Sequence, residues 1–192
     1  MKKVSLKNLF VVATAVALII TGCKKDKETV PDPEDPVNET EVMTTFKLTF
    51  VDSANSADIV TATFRDPDGD GGNPPVKFDS VKLVANKTYF ASVLILDETK
   101  SPVDTISNEI EEEANDHLFF YTPQGVNETI TILDKDTHTP TPLPVGVHTK
   151  WKTGATSTGS TKIVLRHQPG VKNGTYAPGE TDIEILFQTK IN

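Results

Sequence analysis

The chain has 192 residues, one cysteine and a formal net charge of −8. An acidic chain without a basic cluster is a poor partner for nucleic acid and is not drawn electrostatically to anionic lipid. A single cysteine excludes a disulfide scaffold and a multi-thiolate metal site, so the fold must stand on a hydrophobic core, which about 150 residues can build.

Taken from the start, Lys2, Lys3 and Lys7 precede an apolar run over residues 9–20, broken only by Thr14. A helix needs about 20 apolar residues to span a bilayer, so this shorter run reads as the core of a signal peptide. It closes on I-T-G-C at 20–23, which resembles the bacterial lipobox, in which the cysteine is acylated and becomes the first mature residue. The expectation is a signal peptide over residues 1–22 and a lipidated, palmitate-bearing Cys23. Removing the signal leaves 16 basic and 27 acidic residues, a net charge of −11. Attachment to the membrane then comes from lipid, and one acyl chain binds only marginally, so several are required. Residues 23–42 lack hydrophobic periodicity and alternate proline with acids at Pro31, Asp32, Pro33, Glu34, Asp35 and Pro36. Such a segment forms an extended tether.

From residue 43 to 192 the pattern has period two, the mark of half-buried strands. Phe46, Leu48 and Phe50 alternate with Lys47 and Thr49, and Val60, Ala62 and Phe64 alternate with Thr61 and Thr63, which reads as a hairpin. A long loop (66–75) leads to a third run with Val76, Phe78, Val81 and Leu83. The fourth, 88–96, is so apolar that it reads as a central strand buried on both faces. Asp104 then caps a short helix over 104–115, with Ile106 and Ile110 on one face and Glu109, Glu111, Glu112 and Glu113 crowding it. Strands resume at 117–121, 129–133, 147–152, 162–167 and 182–190. Nine strands with turns between them predict a mainly β fold, a single β-sandwich of immunoglobulin-like or related topology, with a closed barrel as the alternative.

The most pointed loop is D-P-D-G-D-G-G at 66–72, where Asp66, Asp68 and Asp70 alternate with glycines and can converge on Ca²⁺. An EF-hand is excluded because its twelfth position is Lys77. Among the four histidines no pair has sequence-local zinc spacing. His117 and His167 each sit at a strand end, and Glu113 lies just before His117. Two imidazoles and a carboxylate brought together by folding form a site for Zn²⁺ or Cu²⁺. Asp134, Asp136 and His138 form a further polar cluster. No G-x-S-x-G, P-loop, G-x-G-x-x-G or paired-carboxylate helix is present, so no catalytic residues are assigned and the chain reads as non-enzymatic.

The segments T-A-T-F-R-D-P-D-G-D-G-G at 61–72, L-R-H-Q-P-G-V-K at 165–172 and G-E-T-D-I-E-I-L-F at 179–187 resemble a family of small Bacteroidota envelope lipoproteins. These are often labelled "type 1 periplasmic binding fold superfamily protein". That label is at odds with the strand pattern, since such a fold has two α/β lobes. The resemblance implies a location in the cell envelope, the outer membrane in preference to the inner, and an outer-membrane TonB-dependent receptor as partner. The expected function is a lipid-anchored, non-catalytic binding module that captures a metal ion or small ligand for such a transporter. The alternative is a structural or adhesion lipoprotein with a Ca²⁺-stabilised loop.

Overall fold

The computed structural model describes residues 42–69 and 71–192. The expected signal peptide, Cys23, the expected tether up to residue 41, and Asp70 lie outside the described residues. Five strands precede the helix: β1 (Thr45–Asp52), β2 (Asn55–Arg65), β3 (Lys77–Phe78), β4 (Val81–Leu83) and β5 (Thr88–Leu96). Helix α1 (Ile106–Glu112) is followed by β6 (His117–Gln124), β7 (Glu128–Ile132), β8 (His148–Thr153), β9 (Ser157–His167) and β10 (Glu180–Ile191). They form a six-stranded sheet, β3-β2-β1-β5-β8-β7, and a four-stranded sheet, β4-β10-β9-β6. The architecture is the expected β-sandwich. Within the sheets every neighbouring pair is antiparallel except β10 and β4.

Alternation along each strand decides what lies between the sheets. Phe46, Leu48 and Phe50 of β1 point inward, as do Ile183, Ile185, Phe187 and Ile191 of β10. Trp151 is fully buried, edge-on to Phe50 at 5.0 Å between ring centroids. Its Nε1–H donates to Thr149 Oγ1 at 2.8 Å, so the indole's polar edge is satisfied inside the core.

Three expectations are corrected. The third run splits, because residues 79 and 80 carry the chain from one sheet's edge to the other's, which makes ten strands rather than nine. Strand β5 is not buried on both faces: Tyr89, Ala91, Val93 and Ile95 face the core while Phe90 is 49% exposed. Antiparallel sheets commonly leave one face to solvent. The helix is only seven residues long and its N-cap is Thr105 rather than Asp104. Asp104 is occupied elsewhere: its backbone bridges Asp97 and its carboxylate accepts from Lys100 at 2.9 Å. Among the described residues no helix is long and apolar enough to cross a membrane.

Ile106 and Ile110 plug α1 into the core, and the helix delivers the chain to Glu113 and then to β6. Glu113, His117 and His167, the candidate metal ligands, meet at this end of the sandwich.

Candidate metal centre

Strands β6 and β9 are antiparallel neighbours, with Phe119 opposite Leu165 and His117 opposite His167. Phe119 and Leu165 are fully buried. Period two then places His117 and His167 on the same inward row, one step closer to the end of the sheet. Directly opposed residues have their Cβ atoms about 5 Å apart. The two imidazoles accordingly stack, with centroids 4.7 Å apart and planes within 11°. His117 is buried and His167 half-buried.

Glu113 closes α1 from above. Its backbone carbonyl accepts a hydrogen bond from His117 Nδ1 at 3.2 Å, and its carboxylate lies 4.0 Å from the same nitrogen. A carbonyl can only accept, so Nδ1 carries the proton and Nε2 presents its lone pair. Fixing the tautomer through the far nitrogen is how metal-bound histidines are usually oriented. One ligand atom each from Glu113, His117 and His167 lies within 4.8 Å of the others. An ion with bonds near 2.0–2.1 Å holds its ligand atoms no more than about 4.2 Å apart, so an edge of 4.8 Å must close by at least about 0.6 Å. The three residues expected from the sequence to share a metal site are thus brought together by the fold.

A fourth group was not expected. In β10, Thr181 pairs with Arg166 and Ile183 pairs with Leu165, which leaves Asp182 as the extra residue of a bulge. Strict alternation from the inward Ile183 would turn position 182 outward. The bulge instead brings Asp182 Oδ2 to 3.8 Å from His117 Nε2, with the carboxylate side chain only 16% exposed. Gly179 makes the approach of β10 to β9 feasible: its φ is +76°, and a Cβ there would sit 1.9 Å from the His167 carbonyl oxygen.

Burial holds the His117 imidazole below its ordinary pKa, and His167 adds to this. The hydrogen bond to the Glu113 carbonyl and the charges of Asp182 and Glu113 act in the opposite direction. A histidine kept neutral is in the state that binds a metal.

The other sequence candidates lie elsewhere. Asp68 accepts from the Asn73 backbone N–H at 2.9 Å and from its side-chain amide at 2.8 Å, which holds the carboxyl below its usual range and folds the loop around it. Asp66 is buried, and Asp70 is outside the described residues. His148 meets Glu111 at 3.3 Å on the surface. Asp134 accepts backbone N–H groups from Gly146, Val147 and His148, a structural task.

Asp136 and His138 belong to a second charged cluster. Lys172 reaches Asp136 at 2.8 Å with both side chains fully buried, and also donates to the Ala114 carbonyl at 2.7 Å. His138 Nδ1 lies 2.8 Å from Asp136 Oδ2, and the backbone N–H groups of Leu143 and His138 bind Oδ1. Burial alone would raise the Asp136 pKa, but these partners outweigh it and bring the carboxyl down to about 2. Burial lowers the Lys172 pKa against the pull of Asp136.

Compared with protein-family models, with curated proteins and with solved structures, the chain matches none.

Proposed function

We propose that the protein is a lipid-anchored, non-catalytic binding module of the cell envelope that captures a divalent transition-metal ion, Zn²⁺ or Cu²⁺. The single observation that carries this reading is the convergence of Glu113, His117 and His167 on one end of the sandwich. Imidazole and carboxylate donors suit these two ions, and no thiolate is present to favour a softer one. Helix α1 has no basic residue in its last turn and carries Glu109, Glu111 and Glu112. A helix C-terminus adds to the attraction for a cation. Cys23 supplies the anchor, and the tether holds the module away from the membrane. An outer-membrane TonB-dependent receptor, the partner implied by the sequence resemblance, would receive the ion, and co-purification of the two tests that link.

The test of capture is thermal unfolding of the full-length, tag-free chain in detergent, stripped with chelator and then titrated with Zn²⁺, Cu²⁺ and Ca²⁺. An ion at 100 times its Kd stabilises the native state by about 2.7 kcal/mol and raises Tm accordingly. The expected result is a rise with Zn²⁺ or Cu²⁺ that a His117→Ala, His167→Ala variant loses. No rise with either ion, or an undiminished rise in the variant, overturns the reading. A rise with Ca²⁺ alone transfers the case to the loop at Asp66 and Asp68.

A further inference from the structure

The inner face of β7 sets a carboxyl group among hydroxyls. Ile130 lies opposite Trp151 and packs on the core, so period two turns Glu128 inward as well. Its Oε1 is 2.5 Å from Thr161 Oγ1 of β9, in the other sheet. Thr161 in turn lies 3.0 Å from Thr189 Oγ1 of β10, and Thr189 reaches the Phe187 carbonyl at 3.3 Å. Both threonines are buried. Glu128 Oε2 is buried too and has no hydrogen-bond partner among the described residues. Thr153, opposite Glu128 on β8, cannot serve it, because its hydroxyl is given to the Val84 carbonyl at 2.7 Å. His167 lies six residues further along β9, about 20 Å away, so this place is separate from the candidate metal centre.

Two features locate a proton here. Leaving a carboxyl oxygen buried and unpaired costs more when the group carries charge. The hydroxyl chain also has three links and ends on a carbonyl, which only accepts. Each threonine brings one hydrogen, so the third must come from the carboxyl group. With Glu128 as an acid every link is made: Glu128 donates to Thr161, Thr161 to Thr189, and Thr189 to the Phe187 carbonyl. With Glu128 ionised the hydroxyls turn round to face it, and the link to Phe187 is lost.

We propose that Glu128 is a carboxylic acid in the folded protein and acts as a proton-operated latch between the two sheets, whose ionisation as pH rises reverses the hydroxyl chain and loosens β7 from β9. Burial pushes the carboxyl above its ordinary range, against the pull of the Thr161 hydroxyl. The groups facing Glu128 supply no counter-charge: β9 and β10 present the two threonines, and β8 presents Thr153 and Lys152. Lys152 lines the same cavity of about 400 Å³, but it is exposed and forms no ion pair with Glu128 among the described residues. Strand β7 lies at the edge of its sheet, so no second strand holds it from the other side. The unfolded chain releases this proton near the ordinary value of 4.5 while the folded chain keeps it, so stability falls as pH rises from there to the folded value.

The experiment is carbon-13 NMR of carboxyl-labelled glutamate in the full-length, tag-free chain in detergent. Urea unfolding of the wild type and Glu128→Gln from about pH 5 to 8 accompanies it. The Gln amide donates to Thr161 as the acid does but cannot ionise. The Glu128 signal, assigned through its own backbone, is expected to stay at its protonated position while the exposed glutamates titrate. The wild-type unfolding constant should rise, relative to the variant, by up to about tenfold per pH unit, the slope of one proton. A Glu128 signal that titrates with the exposed glutamates overturns the assignment of the proton. The same pH dependence of unfolding in both chains overturns the latch. The NMR titration is read on the wild type, so a failure of Glu128→Gln to fold leaves the proposal testable.

Discussion

Two charged clusters flank the segment from Ala114 to His117, and they are built on opposite plans. In the Asp136–Lys172–His138 cluster each charged group has partners at 2.7–2.8 Å, and the lysine and carboxylate are shut away from water. In the His117–His167–Asp182–Glu113 cluster the charged and basic atoms stand 3.8–4.0 Å apart, with one carboxylate half out in solvent. The first is complete and can only hold loops together. The second is looser: one ligand atom each from Glu113, His117 and His167 lies within 4.8 Å of the others. Satisfied polar groups rigidify a fold, whereas imidazoles and a carboxylate gathered at one strand end are a candidate place for a ligand.

The largest way to break this comparison is to remove a partner from the closed cluster. Lys172→Met strands the Asp136 carboxylate inside the protein and is expected to cost about 3–5 kcal/mol in urea unfolding. A loss below 1 kcal/mol would mean that the cluster is wetter and looser than its geometry. Acid comes next. The Asp136 pKa is about 2 in the folded chain against 3.8 as the ordinary value. The unfolded state therefore takes up its proton first, and stability falls as pH drops from about 4 to 2. The expected loss is about 2 kcal/mol, read from urea midpoints across that range. An Asp136→Asn variant should lack this part of the acid slope.

Smaller effects are expected at the open cluster. His167→Phe keeps a ring stacked on His117 and should change metal-free stability by less than about 1 kcal/mol, yet lose the rise in Tm that Zn²⁺ produces. A large loss of metal-free stability would make the stack a structural element. Glu113→Gln alters an exposed side chain, so a change within about 0.5 kcal/mol is expected in the absence of metal. Differential scanning calorimetry in chelator measures both.

How much of this was legible beforehand differs from residue to residue. His117 and His167 could be singled out because each sat at the end of an expected strand, and Glu113 because it lay just before His117. Their meeting depends on the β6–β9 register, which pairs residues fifty positions apart and is fixed by Phe119 and Leu165 packing inward. Asp182 read simply as the first residue of the last strand, since a bulge leaves the composition of a strand unchanged. The partnership of Lys172 and Asp136 was equally hidden, because both lie in loops with no periodicity to relate them.

The sequence by itself determined the period-two pattern, hence the strands, their inward faces and the mainly β class, because alternation is a local consequence of strand geometry. It also carried the whole expectation of a signal, a lipidated Cys23 and a tether. Only the tertiary structure decided that the third run divides between two sheets and that β5 shows one face to water. It alone decided that an extra residue turns Asp182 toward His117. These are outcomes of register and packing between distant segments, and no local spacing encodes them.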